Sequence, residues 1–192
     1  MTIDEIVEIG DEHFRDMEAS GWIDRAKSDN HYLMLVIGEV CEAIQAHRKG
    51  CVYYNFHEIP SKWVKEILDD PNSNDLLFIE EFNRFCKDTT ADEMADTFLR
   101  LLSLFFMHGF SFSYKRPTLS FNDLESFTET SFRFVRCLFS QYYFDNRDGL
   151  ETAIIFIDEW CKHLSIDLKR ACIRKMRYNR MRSDWRNKVK MY

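Results

Sequence analysis

Apolar residues recur at i, i+3, i+4 and i+7 through almost every long stretch of this 192-residue chain, and only six glycines and three prolines interrupt them. That spacing lays one apolar stripe along a helix of 3.6 residues per turn, and the strict alternation of strands is missing. The chain is therefore expected to be all-α. A first helix runs from Ile3 to Ala19 and stops near Gly21; a second is capped by Ser28 or Asp29 and reaches Arg48 ahead of Gly50. A third long helix starts on Thr89 or Thr90 and continues to Met107, with Gly109 as its stop, and later candidates cover Phe121–Phe144, Leu150–His163 and Asp167–Arg182. Between Cys51 and Asp88, Pro60 and the turn Asp70-Pro71-Asn72-Ser73-Asn74 leave short candidate helices at Ser61–Leu68 and Leu76–Cys86. Residues 51–88 read as an insertion between two core helices. With 45% hydrophobic and 30% charged residues, one buried core is expected over 1–192: a four-helix-type bundle with that insertion and extra C-terminal helices.

Several classes are excluded at this stage. No apolar run reaches the roughly 18 residues of a membrane span, and the acidic, amphipathic start MTIDEIVEIGDEHF lacks the features of a secretory signal, so a cytoplasmic protein is expected. The six cysteines show no CxxC spacing, which reads as reduced thiols, and the histidines form no pair suited to zinc. From Lys169 onward the last 24 residues hold ten Lys or Arg against one acid, a net +9, so a chain of net −6 carries −15 on its first 168 residues. Such a body repels nucleic acid. It suits a small anionic ligand held by metal on one side and by Lys/Arg on the other.

Two pairs of acids sit inside two of the most apolar stretches: Glu39 and Glu42 in LMLVIGEVCEAI, Glu93 and Asp96 in DEMADTFLRLLSLFF. Residues three apart on a helix are neighbours, so each pair can chelate one side of a cation. A carboxylate in an apolar setting takes up a proton or finds a cation, and four of them facing across an antiparallel helix pair imply a metal. Oxygen ligands select Mg2+, or Mn2+, and Mg2+ shares its shell with phosphate oxygens, so a nucleotide polyphosphate is the natural guest. The bland reading of the same spacing is a solvated pair, with Asp96 bound to Arg100 at i+4. On the basic tail, Lys175, Asn179, Arg182 and Arg186 fall at i, i+4, i+7 and i+11, one stripe able to meet a triphosphate if the helix lasts that far. The aromatics between Phe110 and Phe144 read as core or subunit interface.

The order of these motifs resembles the MazG-like, all-α NTP pyrophosphohydrolase superfamily, which includes the dimeric dUTPases. Its ExxE helix is matched by Glu39-x-x-Glu42 and its ExxD helix by Glu93-x-x-Asp96. Gly21-Trp22, Glu42-Ala43-Ile44 running to Arg48-Lys49-Gly50, Lys87-Asp88-Thr89 and Lys175-Met176-Arg177-Tyr178-Asn179 stand where such flanks are expected, across about Gly21 to Arg182. The resemblance implies Mg2+-dependent cleavage of a nucleoside triphosphate to the monophosphate and pyrophosphate, with Glu39, Glu42, Glu93 and Asp96 as metal ligands. On this reading Glu39 or Glu42 orients the water, Lys175, Asn179 and Arg182 hold phosphate, Trp22 packs or walls the site, and the protein is a homodimer or homotetramer. The rival expectation is a catalytically silent helical protein that binds nucleotide or metal.

Overall fold

The computed structural model describes residues 1–54, 60–113, 119–143 and 145–182, and among these residues it contains eight α-helices. They are α1 (Ile3–Ala19), α2 (Asp29–Arg48), α3 (Lys62–Asp69), α4 (Asp75–Glu81), α5 (Thr90–Met107), α6 (Phe127–Tyr142), α7 (Asn146–His163) and α8 (Leu168–Met181). No strand occurs among the described residues. The expected all-α class holds, and the helices pack as a bundle about α5, which touches α1, α2, α7 and α8. The reason is visible in its sequence: Phe98, Leu99, Leu101, Leu102, Leu104 and Phe105 are all buried, so α5 is apolar around most of its circumference rather than along one stripe.

The α2–α5 pair is antiparallel. At one end His108 Nε2 lies 3.1 Å from the Asp29 carboxylate; at the other, the Cys51 and Val52 carbonyls accept from Thr90 N–H (2.8 Å) and Ala91 N–H (2.9 Å). Those two carbonyls satisfy donors that the first turn of α5 would otherwise leave open. Gly10 on α1 is needed for close approach, since a Cβ there would run into the Phe106 ring. Gly21 has φ +70°, and the Trp22 N–H behind it returns to the Met17 carbonyl at 2.9 Å, a left-handed stop for α1.

The later helices start elsewhere than their apolar pattern suggests. α6 begins at Phe127, not Phe121, because Ser126 and Glu129 form a reciprocal cap: Ser126 N–H donates to Glu129 Oε2 (2.8 Å) and Glu129 N–H to Ser126 Oγ (3.2 Å). α7 begins at Asn146 rather than Leu150, capped by the Asp145 side chain, and absorbs Gly149. α4 continues into a π-helical turn at Phe82–Cys86. α8 ends at Met181, so the stripe from Lys175 does not extend as regular helix to Arg186, which lies outside the described residues.

The segment between α2 and α5 has an apolar cluster of its own, Val64, Ile67, Leu68, Phe78, Phe82, Phe85 and Cys86, closed by Tyr178 of α8. Two α8 arginines fasten it. Arg174 donates to Asp69 (2.7 and 3.0 Å), and Arg177 covers the Phe78 ring (4.1 Å to the centroid) while donating to the Asp70 carbonyl and to Ser73. Part of the basic tail is thus structural.

His13, 4% exposed on α1, gives the fold an acid-sensitive element. Burial pushes its pKa down to about 4, opposed by Asp96 and reinforced by Arg100 and Arg180. The unfolded chain takes up this proton near its ordinary value of 6.5 while the folded one refuses it, so stability falls as pH drops from 6.5 towards 4. In urea unfolding, His13→Gln is expected to lose less stability than wild type between pH 7 and about 4.5, by on the order of 2–3 kcal/mol. Equal losses in the two proteins would remove His13 as the cause.

Candidate metal centre

Glu39, Glu42 and Glu93 meet across the α2–α5 seam, with oxygens all within 4.8 Å of one another. Antiparallel packing does this: α2 presents its two acids one turn apart, and α5 presents Glu93 from its first turn. Glu42 is exposed, the Glu39 side chain is 12% exposed, and Glu93 is 3% exposed. Among the described residues the Glu93 carboxylate has no hydrogen-bond or ion-pair partner. A second group, Asp88, Asp92 and Glu93, shares Glu93 and lies within the same 4.8 Å limit. Asp88 adopts φ 59°, which Asp tolerates better than most residues, and its N–H donates to Asp92 Oδ2 at 3.0 Å. Thr89 caps α5 by accepting from Asp92 N–H.

Asp96, the fourth expected ligand, belongs to neither group. Its Oδ2 is 2.7 Å from Lys175 Nζ, which also donates to Asp92 at 3.0 Å. The sequence suggests a phosphate contact at Lys175; the structure buries it to 6% exposure and gives its ammonium to two carboxylates. Burial alone would lower the Lys175 pKa, but Asp96 and Asp92 outweigh it and hold the group protonated. Arg100 does not take Asp96 either. Its Nε and Nη2 both rest on Glu39 Oε1, at 2.6 and 2.5 Å.

Asn179, 8% exposed, follows Lys175 one turn along α8, and Arg182 caps that helix with its guanidinium 5.7 Å from the Tyr178 ring centroid. Trp22 is half-buried in the α1–α2 connection. A surface hollow of about 750 Å³ bordered by Leu124, Phe132 and Arg136 shares no residue with the acids.

Six carboxylates, Glu39, Glu42, Asp88, Asp92, Glu93 and Asp96, are gathered; Arg100 pairs with Glu39, Lys175 with Asp92 and Asp96, and Lys87 lies 3.9 Å from Asp88. The excess negative charge shows in Glu93, whose pKa is pushed up to about 9 by burial first, then by Asp92 and Asp96, with Lys175 opposing. Burial raises Glu39 and Asp92 as well, against Arg100 and Lys175 respectively. A buried acid held neutral beside ionised ones is the environment a hard divalent cation relieves, and the all-oxygen donor set fits Mg2+ or Mn2+. Sequence reasoning missed Asp92, Asp88 and the Glu39–Arg100 pairing. Asp92 was within reach, since an acid three residues into a helix after a Thr cap is a capping position.

No protein-family model matches the chain, and no curated protein or solved structure matches it either.

Proposed function

We propose that this chain is a Mg2+-dependent nucleoside triphosphate pyrophosphohydrolase, of the MazG-like kind its motifs resemble, converting (d)NTP and water to (d)NMP and pyrophosphate. The observation that carries this reading is the gathering of Glu39, Glu42 and Glu93, from two helices, around a Glu93 that has no counter-charge of its own. These three would hold the cation, with Asp96 at the edge of the group. The cation, when bound, neutralises charge on the phosphate oxygens.

The remaining chemistry belongs to the chain. Glu42, exposed at the mouth of the cluster, orients a water and accepts its proton as the oxygen bonds to the α-phosphorus. The bond from that phosphorus to the α–β bridging oxygen breaks, and pyrophosphate departs with the electron pair. Lys175 fixes Asp96 and Asp92 from behind, so their carboxylates do not rotate or take up protons as charge develops in front of them. Asn179 and Arg182 at the end of α8 extend the site towards phosphate, with Trp22 as a wall or packing residue. The exposed Phe132 (69%) and Leu124 (91%) on and before α6 support assembly as a homodimer or homotetramer. No described helix is long and apolar enough to cross a membrane.

One observation favours the rival, a catalytically silent binding protein: Glu39 and Asp96 already have cationic partners. A panel of NTPs and dNTPs with Mg2+, assayed for orthophosphate before and after adding inorganic pyrophosphatase, separates the two. Colour only after pyrophosphatase is the expected result. Colour before it indicates γ-phosphate removal, and none with any nucleotide supports the silent protein.

A further inference from the structure

We infer that Arg100 is an exchange cation: it holds Glu39 until a divalent cation takes that carboxylate, and then turns its guanidinium to the phosphate oxygens of the substrate. The inference rests on the cation-dependent function proposed above. Arg100 stands one turn beyond Asp96 and two beyond Glu93 on α5, so the three share a face. Both of its engaged nitrogens rest on a single oxygen of Glu39, Oε1. Among the described residues no hydrogen bond reaches the other oxygen, Oε2, and none leaves Arg100 Nη1. This is half of a two-pronged fork, with donors and an acceptor left over on both sides.

Arg100 and Lys175 differ in freedom. The Lys175 side chain is 8% exposed and has two carboxylates, whereas Arg100 is 36% exposed and has one, so only Arg100 can leave without abandoning a sealed charge. A divalent cation seated on Glu39, Glu42 and Glu93 would share Glu39 with the guanidinium, and like charges on one carboxylate weaken each other. Arg100 then needs another anion within its own reach. A polyphosphate on the same cation supplies oxygens that match the guanidinium fork, which a lysine ammonium does not.

Exchange requires two binding effects of opposite sign, which simple damage to the site would not produce. In Arg100→Met, Mn2+ alone, titrated by electron paramagnetic resonance at one fixed pH for both proteins, should bind about tenfold more tightly than in wild type. Inorganic tripolyphosphate, titrated by calorimetry with saturating Ca2+, should bind about tenfold more weakly. Arg100→Lys should fall between the two on both scales. Mn2+ bound equally by wild type and Arg100→Met, or both ligands weakened together, overturns the inference while leaving the proposed function standing. No Mn2+ binding by wild type overturns both.

Discussion

Glu93→Gln is expected to lower cation-dependent pyrophosphate release by roughly 10²–10³-fold while leaving the helices folded. The amide keeps the volume of a side chain that is only 3% exposed, and it resembles the protonated form that Glu93, with a pKa of about 9, holds at neutral pH. What it removes is the ability to become a ligand. The wild-type melting temperature should therefore rise with added Mg2+ by mass action, and that of Glu93→Gln should not. Unchanged kcat/KM together with an unchanged Mg2+ response would place the metal elsewhere. Glu42→Gln should instead keep part of the Mg2+ stabilisation, because its carboxylate is exposed and the buried Glu93 remains to hold the cation.

Lys175→Met should cost about 3–5 kcal/mol in urea unfolding, since it leaves Asp92, buried and already raised in pKa, without its cation. Adding Asp92→Asn should restore a large part of that loss by removing the stranded charge. A lysine that only touched substrate phosphate would behave differently: Lys175→Met would raise KM and leave unfolding unchanged. A stability loss under about 1 kcal/mol would return Lys175 to that role.

Local chemistry made much of the fold legible. Ser61, Thr89 and Asp167 cap α3, α5 and α8 with their side chains, a bond that acts within three positions, and Ser28 stands at the N-cap of α2 without one. α6 was less legible: the aromatic run from Phe121 continues the helical pattern beyond the point where Ser126 and Glu129 cut it off. In the site, Glu39, Glu42 and Glu93 could be picked out because their flanks are apolar on most sides of the helix. The pairings could not. Arg100 lies within reach of Asp96 along α5 but binds Glu39 on α2, and Lys175 comes to Asp92 and Asp96 from α8. Spacing reports neighbours on one helix, whereas these partners are set by how α2, α5 and α8 pack. The same limit applies to the tail, where spacing assigns no role to Arg174 and Arg177 and the packing uses both to fasten the segment between α2 and α5.

The central claim is that these acids form a divalent-cation centre, and calorimetric titration of Mn2+ into the nucleotide-free protein tests it most directly. Wild type is expected to show a saturable site filled at on the order of 1 mM Mn2+ or below, lost in Glu39→Gln and in Glu93→Gln and weakened in Asp96→Asn. Heats no greater than dilution in wild type, or an isotherm that survives both Glu39→Gln and Glu93→Gln, would contradict it.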